Sequence, residues 1–387
     1  MAEIAVVGER VDVAVVGAGP AGSTAAYRLA AAGARVVLLD RQRFPRDKPC
    51  GGGLTMRGVG LLPYDVSPVV EDRVDRVLLR LRFGRTREQR FPDPVALMTQ
   101  RRRLDHFLVE RAAEVGADVR DGVRVRGVEA DGDAMSVDVD GGRLTAAVVL
   151  GADGANGVCS KALGLGADRA FAIAYEGNLA VDAESAGGHR GRMTLEIGTV
   201  PGGYGWIFPK GDHLNIGVGG WAAEGPRLRD HLATLCAQHA VDVDALTSLR
   251  GHRLPMRRSW GLAARGRAAV VGDAAGLVDP VSGDGMFEAF LSSKLASEAA
   301  LDVLAGRAAG MEPYQGRLQR ALAGHAATAW AAKLALERAT TLTYHTLQLR
   351  VLRRFVAARL ARSEPRTVPG SALLERSARL ALGTAAR

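Results

Sequence analysis

The feature that most constrains the fold is a glycine-rich turn between an apolar strand and a helix of small residues. Residues 11–16 are an apolar, largely β-branched run, as expected of a buried parallel strand. The turn then reads Gly17-Ala-Gly19-Pro-Ala-Gly22, and a helical pattern follows as far as Gly33. A second apolar run at 35–39 ends at Asp40. This strand–turn–helix–strand order predicts a parallel sheet in an α/β domain that binds a dinucleotide.

Each glycine of this turn has a physical role in such a site. Gly17 permits the tight turn, Gly19 lets the backbone approach a pyrophosphate, and Gly22 lets the helix pack closely on the strand. The helix N-terminus faces the phosphates, and the carboxylate of Asp40 accepts hydrogen bonds from ribose hydroxyls. NAD and FAD share this pattern, so the turn alone does not choose between them. The predicted cofactor residues of this segment are Gly17, Gly19, Pro20, Ala21, Gly22, Asp40 and Arg41.

Two later segments favour FAD. The stretch 150–157, which contains Asp153 and Gly154, resembles the DG motif of the p-hydroxybenzoate hydroxylase-like flavoproteins. The stretch 272–276, with Pro280 and the turn 283–286 after it, resembles their GD motif. The resemblance implies FAD as cofactor, with Asp273 on the ribityl chain and the turn 283–286 against the isoalloxazine ring. The residues so assigned are Asp153, Gly154, Gly272, Asp273, Pro280, Gly283, Asp284, Gly285 and Met286.

The second placement also has a physical reason. A glycine turn lets backbone N–H groups approach the ring, and a helix starting near Met286 aims its positive end at the flavin, stabilising the reduced anion. Arg101 and Asp105 match an RxxxD helix start of the same superfamily, whose arginine approaches the FAD phosphates. Because three arginines stand in a row, a solvated basic helix start is the alternative.

Two stretches bear on the substrate. Residues 48–54 contain a Cys50-Gly51 pair, and residues 201–210 match PxxYxWxFP at every fixed position. Together they resemble the signatures of the geranylgeranyl reductase family. The resemblance covers roughly residues 10–310 and implies reduction of isolated double bonds in prenyl chains. It assigns catalytic roles to Cys50, Gly51, Tyr204 and Trp206, substrate contacts to Tyr204, Trp206, Phe208 and Pro209, and cofactor contacts to Cys50 and Gly51.

Several alternatives stay open at this point. Alternation places Tyr204, Trp206 and Phe208 on one face of a strand. Their rings either contact a long apolar substrate chain or fill the core between the sheet and the flavin. Cys50 is either a proton donor or a packing residue. An FAD-dependent monooxygenase acting on an aromatic or terpenoid substrate uses the same cofactor motifs, and a non-catalytic flavoprotein is a third reading. The electron donor, NADPH or a ferredoxin-like protein, is not chosen by the sequence.

Composition bounds the partners and the location. The net charge of +9 comes without a recognisable nucleic-acid module, so we expect no nucleic acid. Three scattered cysteines predict no metal site and fit a reducing cytoplasm. No apolar stretch is long enough to span a bilayer. The basic stretch 347–366 is either a membrane-surface helix, which would make the protein peripherally associated, or a helix that caps the substrate domain.

The predicted fold class is α/β, with a Rossmann-type FAD-binding domain, an antiparallel β-sheet substrate domain and a helical C-terminal region. The predicted division makes the FAD-binding domain discontinuous: 10–75, 99–165 and 263–310. The substrate domain takes 76–98 and 166–262, and the C-terminal helical region takes 311–387.

Overall fold

The computed structural model describes residues 6–166, 168–182 and 187–346. The basic stretch 347–366, and with it the end of the predicted C-terminal region, lies outside the described residues. Within them, none of the helices combines the length and the apolarity needed to cross a bilayer.

The strands form three sheets. In chain order they are β1 (Val6–Val16), β2 (Val36–Asp40), β3 (Gly53–Thr55), β4 (Val70–Val74), β5 (Arg76–Leu81), β6 (Arg85–Arg90), β7 (Ala96–Thr99), β8 (Asp118–Asp121), β9 (Val125–Asp131), β10 (Ala134–Val139), β11 (Gly142–Gly151), β12 (Arg169–Ala180), β13 (Arg192–Ile197), β14 (Tyr204–Pro209), β15 (His213–Trp221), β16 (Thr247–Arg257), β17 (Ala264–Arg265) and β18 (Ala268–Val270).

The helices are mostly short, apart from two long ones towards the C-terminal end. They are α1 (Pro20–Ala31), α2 (Met56–Val59), α3 (Arg101–Glu114), α4 (Cys159–Ala162), α5 (Leu228–Gln238), α6 (Met286–Leu304), α7 (Glu312–Arg338) and α8 (Thr340–Thr346).

The first sheet has eight strands and a parallel centre. Its main path runs β17-β18-β11-β1-β2-β8, with β10 and β9 added to β11 in antiparallel pairing. Strands β18, β11, β1, β2 and β8 are parallel to one another. Residues 13–16 of β1 and 36–39 of β2 are buried, as the apolar runs predicted. Helices α1 and α6 lie together on it, and the Ser293 hydroxyl donates to the Ala21 carbonyl at 2.6 Å.

The second sheet has seven strands in the order β16-β12-β15-β14-β13-β5-β6. All its pairs are antiparallel except β5 with β13, which is parallel. One face is covered by α5, whose Leu232 and Leu235 join Ile207 and Ile216 in a buried cluster. The opposite face turns towards the first sheet. The predicted fold class is therefore confirmed.

The structure differs from the predictions made from the sequence only in a few short elements. The stretch 41–63, in which no strand or helix was predicted, contains β3 and α2. Strand β7, placed with the substrate domain, pairs with β3 and β4 in a separate three-stranded sheet. Strands β3 and β7 and helix α2 are each only three or four residues long, which is too short to show a period in the sequence. The division into domains stays a prediction.

Candidate FAD and substrate site

The glycine-rich turn lies at the carboxyl end of β1. Gly17 has φ +100°, and a Cβ there would lie 2.5 Å from the Ala152 carbonyl oxygen. A Cβ on Gly22 would lie 1.8 Å from the carbonyl oxygen of Gly17. These two positions therefore admit only glycine. Gly19 caps α1 with an extended backbone and leaves the helix N-terminus open towards the cavity described below. This cradle fits a pyrophosphate.

Asp40 holds the turn and the strand end together. Its Oδ2 accepts a hydrogen bond from the Ala18 N–H at 2.8 Å, and its Oδ1 accepts from the Gln42 N–H at 2.9 Å. Arg41, which was predicted as a cofactor residue, is exposed. The nearer cation is Arg46, which lies 3.8 Å from Asp40 and 2.9 Å from Asp105.

Arg101 begins α3 and is buried. Its guanidinium donates two hydrogen bonds to Asp105, each 2.7 Å long. Burial opposes the charge, but the paired carboxylate outweighs it and holds the Arg101 pKa above its usual value. Arg102 and Arg103 are exposed. Of the three consecutive arginines, Arg101 is therefore the one that begins the RxxxD pattern.

The segment 152–157 follows β11. The Cys159 N–H donates to Asp153 Oδ2 at 2.9 Å, so this carboxylate anchors the start of α4. Its Oδ1 is buried without a hydrogen-bond partner among the described residues. Gly154 has φ +78° and open space where a Cβ would lie, and it lines the cavity together with Ala152.

The segment 272–276 follows β18. Asp273 lies 3.7 Å from the Lys48 ammonium and 3.8 Å from the His252 ring. Although burial acts to raise it, the charge of Lys48 and the hydrogen bond of the His252 ring lower the Asp273 pKa to about 2. The carboxylate is thus ionised at neutral pH and available as a hydrogen-bond acceptor on the cavity wall.

The turn 280–285 leads into α6. Gly283 has φ +67°, and the Met286 N–H donates to Asp284 Oδ1 at 2.8 Å, which satisfies the first N–H of α6 and leaves the next ones without a side-chain cap from Gly285. Burial, and next the carboxylate of Glu288, raise the Asp284 pKa to about 7. Gly285 approaches Asp273 so closely that a Cβ would lie 3.0 Å from its Oδ1.

These segments meet around one cavity of about 510 Å³. It lies between the eight-stranded and seven-stranded sheets, and its wall is predominantly apolar. The predicted site residues that line it are Gly19, Pro20, Ala21, Cys50, Gly51, Arg101, Gly154, Tyr204, Trp206, Phe208, Asp273, Pro280, Gly283, Asp284, Gly285 and Met286.

The aromatic strand β14 forms one wall. The ring centroids of Tyr204 and Trp206 lie 5.9 Å apart, and those of Trp206 and Phe208 lie 6.2 Å apart. All three rings face the cavity, as alternation predicts. Pro209 does not line it: side chains alternate along a strand, so Pro209 falls on the opposite face, with Ile207. Its predicted substrate contact is therefore not supported by its position.

Trp206 is nearly fully buried and held from two sides. Its indole N–H donates to Asn215 Oδ1 at 2.7 Å. The ring lies over Gly217 on β15, where a Cβ would come within 2.2 Å of Trp206 Cζ2. Tyr204 is also fixed, because its hydroxyl donates to the carbonyl of Ser282 in the turn before α6. The strand is thus joined to the turn that carries Asp284.

The loop of residues 50–52, called the cysteine loop below, lies against the same wall. Gly51 packs so closely on Phe208 that a Cβ would lie 2.9 Å from two ring atoms. The Cys50 N–H donates to Glu176 Oε1 at 2.5 Å, and its Sγ accepts from the Gly52 N–H at 3.3 Å. Lys210 donates to the carbonyls of Cys50 and Gly51, both at 3.3 Å. The loop is therefore held by side chains of the seven-stranded sheet.

Glu176 and Lys210 are both buried, and burial shifts their pKa values in opposite directions. Desolvation raises the pKa of Glu176, and the charge of Lys210 partly offsets this. Desolvation lowers the pKa of Lys210, and Cys50 and Glu176 partly offset this. Each group thus supports the charged form of the other beneath the cysteine loop.

The arrangement fits FAD. The glycine cradle and the start of α1 fit the pyrophosphate, Asp40 and Asp273 offer acceptors for sugar and ribityl hydroxyls, and the open N-terminus of α6 fits the flavin ring. Sequence reasoning missed several polar residues that shape the site, among them Arg46, Lys48, Glu176, Lys210, Asn215 and His252. Lys210 and Glu176 carried a signal, because each is a charged residue beside or within an otherwise apolar strand.

A family model described as an FAD binding domain matches residues 10–192. The chain is similar to a menaquinone reductase of Mycolicibacterium smegmatis, with 34% identity in an alignment that covers 75% of this chain and 76% of that protein. It is also similar to a geranylgeranyl diphosphate reductase of Synechocystis, with 31% identity and 74% of each chain covered. A solved geranylgeranyl bacteriochlorophyll reductase-like protein of Thermoplasma acidophilum shares the fold, with a TM-score of 0.75, 21% identity and 96% of each chain covered.

Proposed function

The chain belongs to the geranylgeranyl reductase family of FAD-dependent oxidoreductases, and we propose that it hydrogenates isolated double bonds of a prenyl chain. The observation that carries the proposal is the shared cavity. One wall consists of the predicted FAD-binding segments, and the other consists of the aromatic strand β14 with the Cys50–Gly51 loop against it. The names of the two relatives, a menaquinone reductase and a geranylgeranyl diphosphate reductase, support a prenyl-bearing substrate.

The chemistry requires one hydride and one proton for each double bond. Reduced FAD supplies the hydride when it is bound. An unactivated trisubstituted alkene accepts a hydride poorly, so positive charge must develop on its tertiary carbon as the proton arrives. The apolar wall excludes the water that would trap this charge, and the faces of Tyr204, Trp206 and Phe208 stabilise it.

The residues of the site divide these tasks. Tyr204, Trp206 and Phe208 line the channel for the prenyl chain. Cys50 and Gly51 form the point where this channel meets the cofactor segments, and Glu176 and Lys210 fix their position. The proposed reductant of the flavin is NADPH or a ferredoxin-like protein.

The test reduces the purified holoenzyme chemically under nitrogen, so that the natural electron donor is not needed. Geranylgeranyl diphosphate and a menaquinone are added in parallel, and product masses are recorded. We expect a gain of two hydrogen atoms per double bond with at least one of them. No gain of hydrogen, followed by a gain of one oxygen atom when oxygen and NADPH are admitted, would show a monooxygenase instead.

A further inference from the structure

We propose that Asp284 is the general acid that protonates the alkene, and that Glu288, His325 and Asp279 return a proton to it from a second cavity. This inference rests on the proposed hydrogenation, because only that reaction consumes a proton in the cavity. It gives a role to a buried group of ionisable side chains that binding of FAD does not explain.

Asp284 is placed to act on the cavity contents. It lines the cavity at the N-terminus of α6, beside the turn that Tyr204 contacts. Its Oδ1 is used by the Met286 N–H, whereas its Oδ2 is buried without a hydrogen-bond partner among the described residues. When the carboxyl group is protonated, the proton belongs on this unpartnered oxygen, and the O–H must turn from its buried position towards the cavity to reach an alkene.

A group of charged side chains lies directly behind Asp284. The His325 Nε2 lies 3.0 Å from Asp279 Oδ2 and 3.2 Å from Glu288 Oε1. Glu288 is one helical turn after Asp284, and its charge acts on the Asp284 carboxyl. Arg57, on α2, has its Nη1 3.3 Å from the His325 ring and its Nη2 3.7 Å from Glu288. These residues are all buried.

The group separates two cavities. Asp279, Glu288 and His325 line a second cavity of about 460 Å³, between the turn 276–280 and α7. Val278 and Pro280 line both cavities. A proton that enters the second cavity therefore meets His325 and Glu288 before it reaches Asp284 on the other side of the wall.

The composition of the group favours proton transfer over metal binding. Asp279, Glu288 and His325 offer donor atoms that lie within 4.8 Å of one another. The guanidinium of Arg57 already supplies the positive charge there, stacked 4.1 Å from the Phe287 ring centroid. A divalent cation would have to displace it or bind beside it, against its charge.

The proposed reduction uses one proton and one hydride for each double bond. The O–H bond of Asp284 breaks, and the π electrons of the alkene form the new C–H bond with its proton. Reduced FAD, when bound, would supply the hydride for the other carbon, so that the alkene would be reduced and the flavin oxidised. Asp284 is left as a carboxylate, which takes a proton from Glu288 or His325, and these are recharged from water in the second cavity.

The electrostatic surroundings support this order of events. Burial and then Glu288 raise the Asp284 pKa, with Asp279 adding to the rise and Arg57 opposing it. From the remaining elements, Tyr204 interacts with Asp284 from β14, and Lys333 with Asp279 from α7. With its pKa at about 7, Asp284 is largely protonated below neutral pH, as a general acid must be.

The experiment follows single-turnover oxidation of the chemically reduced holoenzyme by the prenyl substrate that the wild type accepts. In Asp284→Asn the amide oxygen still caps α6, so FAD content should be retained. We expect alkene reduction to slow by about 100-fold or more, the usual contribution of a general acid. The matched control is Glu196→Gln, which neutralises another fully buried carboxylate on β13 that lines neither cavity; it should keep the wild-type rate.

A pH profile separates this role from a structural one. The wild-type rate should be level below about pH 7 and fall above it, as Asp284 loses its proton. Glu288→Gln removes a negative charge that raises the Asp284 pKa, so the decrease in rate should occur at a lower pH. Infrared absorption of protonated carboxyl groups gives a readout without turnover: the wild-type minus Asp284→Asn spectrum should contain a band that titrates near pH 7.

The possible failures are distinct. If the reduced wild type hydrogenates no prenyl substrate, the proposed function is overturned. If the wild type is active and Asp284→Asn matches it, or the Glu288→Gln profile is unshifted, or the infrared band is absent, the assignment of Asp284 is overturned while the hydrogenation stands.

Discussion

The close contact between Gly217 and Trp206 leads to a sharp prediction about the aromatic wall. A Cβ at Gly217 would lie 2.2 Å from Cζ2 and 2.6 Å from Cε2 of the indole, far inside van der Waals contact. Trp206 cannot simply move aside, because its N–H is bonded to Asn215 and its ring lies between Tyr204 and Phe208. Gly217→Ala should therefore push the indole towards the cavity.

The expected loss of stability in Gly217→Ala has two contributions. Overpacking in a buried site costs about 1–3 kcal/mol, and losing the indole hydrogen bond to Asn215 adds about 1 kcal/mol. We expect Gly217→Ala to lower the free energy of unfolding by about 2–4 kcal/mol in urea titrations. Alkene reduction should fall as well, while FAD content stays unchanged, since the close contacts of Gly17 and Gly22 involve neither Trp206 nor Gly217.

Gly219 provides the matched control on the same strand. A Cβ there would lie 3.5 Å from Trp206 Cζ3, which is an ordinary contact. Gly219→Ala should change the free energy of unfolding by less than about 1 kcal/mol. If the two variants lose equal stability, or if Gly217→Ala loses none, then Gly217 does not hold the indole in place and the reasoning is refuted.

Two further predictions concern the loops around the cofactor segments. Asp105→Ala leaves the buried Arg101 without its partner, so the free energy of unfolding should fall by about 3–5 kcal/mol and FAD should be lost on gel filtration; a loss below about 1 kcal/mol would contradict this. Lys210→Met removes both hydrogen bonds to the cysteine loop, so alkylation of Cys50 by iodoacetamide should accelerate about fivefold, the effect of about 1 kcal/mol on local opening. Mass spectrometry of the labelled peptide measures the rate, and an unchanged rate would show that Lys210 does not restrain the loop.

The cofactor half of the site could be predicted from sequence because its determinants are local. Gly17, Gly22 and Asp40 lie within one strand–helix–strand unit, where a close approach or a helix start requires a particular residue type. The start of α6 at Met286 was predicted for the same reason, from the glycine turn before it. Backbone requirements of this kind are visible in a few consecutive residues.

The polar support of the site could not be predicted, because it joins distant parts of the chain. The Cys50 N–H and the Glu176 carboxylate are 126 positions apart, and Arg57 and His325 are 268 apart. Nothing in either neighbourhood specifies the other; only the folded sheets bring them together. Pro209 is a different case: the alternation that turns Trp206 towards the cavity turns Pro209 to the opposite face, whereas the family motif names both positions.

The sheet order of the FAD-binding part has a consequence for synthesis of the protein. Strand β11 pairs with β1 through Val13 and Val148, and with β18 through Val149 and Ala268. While a ribosome is still translating the seven-stranded sheet, β1 is in place along β11 and β10 covers only its residues 142–146, so the end of β11 at 149–151 has a bare edge. Such edges recruit other chains. The cofactor cannot be enclosed until α6 has emerged. We therefore expect newly made chains to depend on chaperones, or on rapid completion, more than a domain built from consecutive strands would.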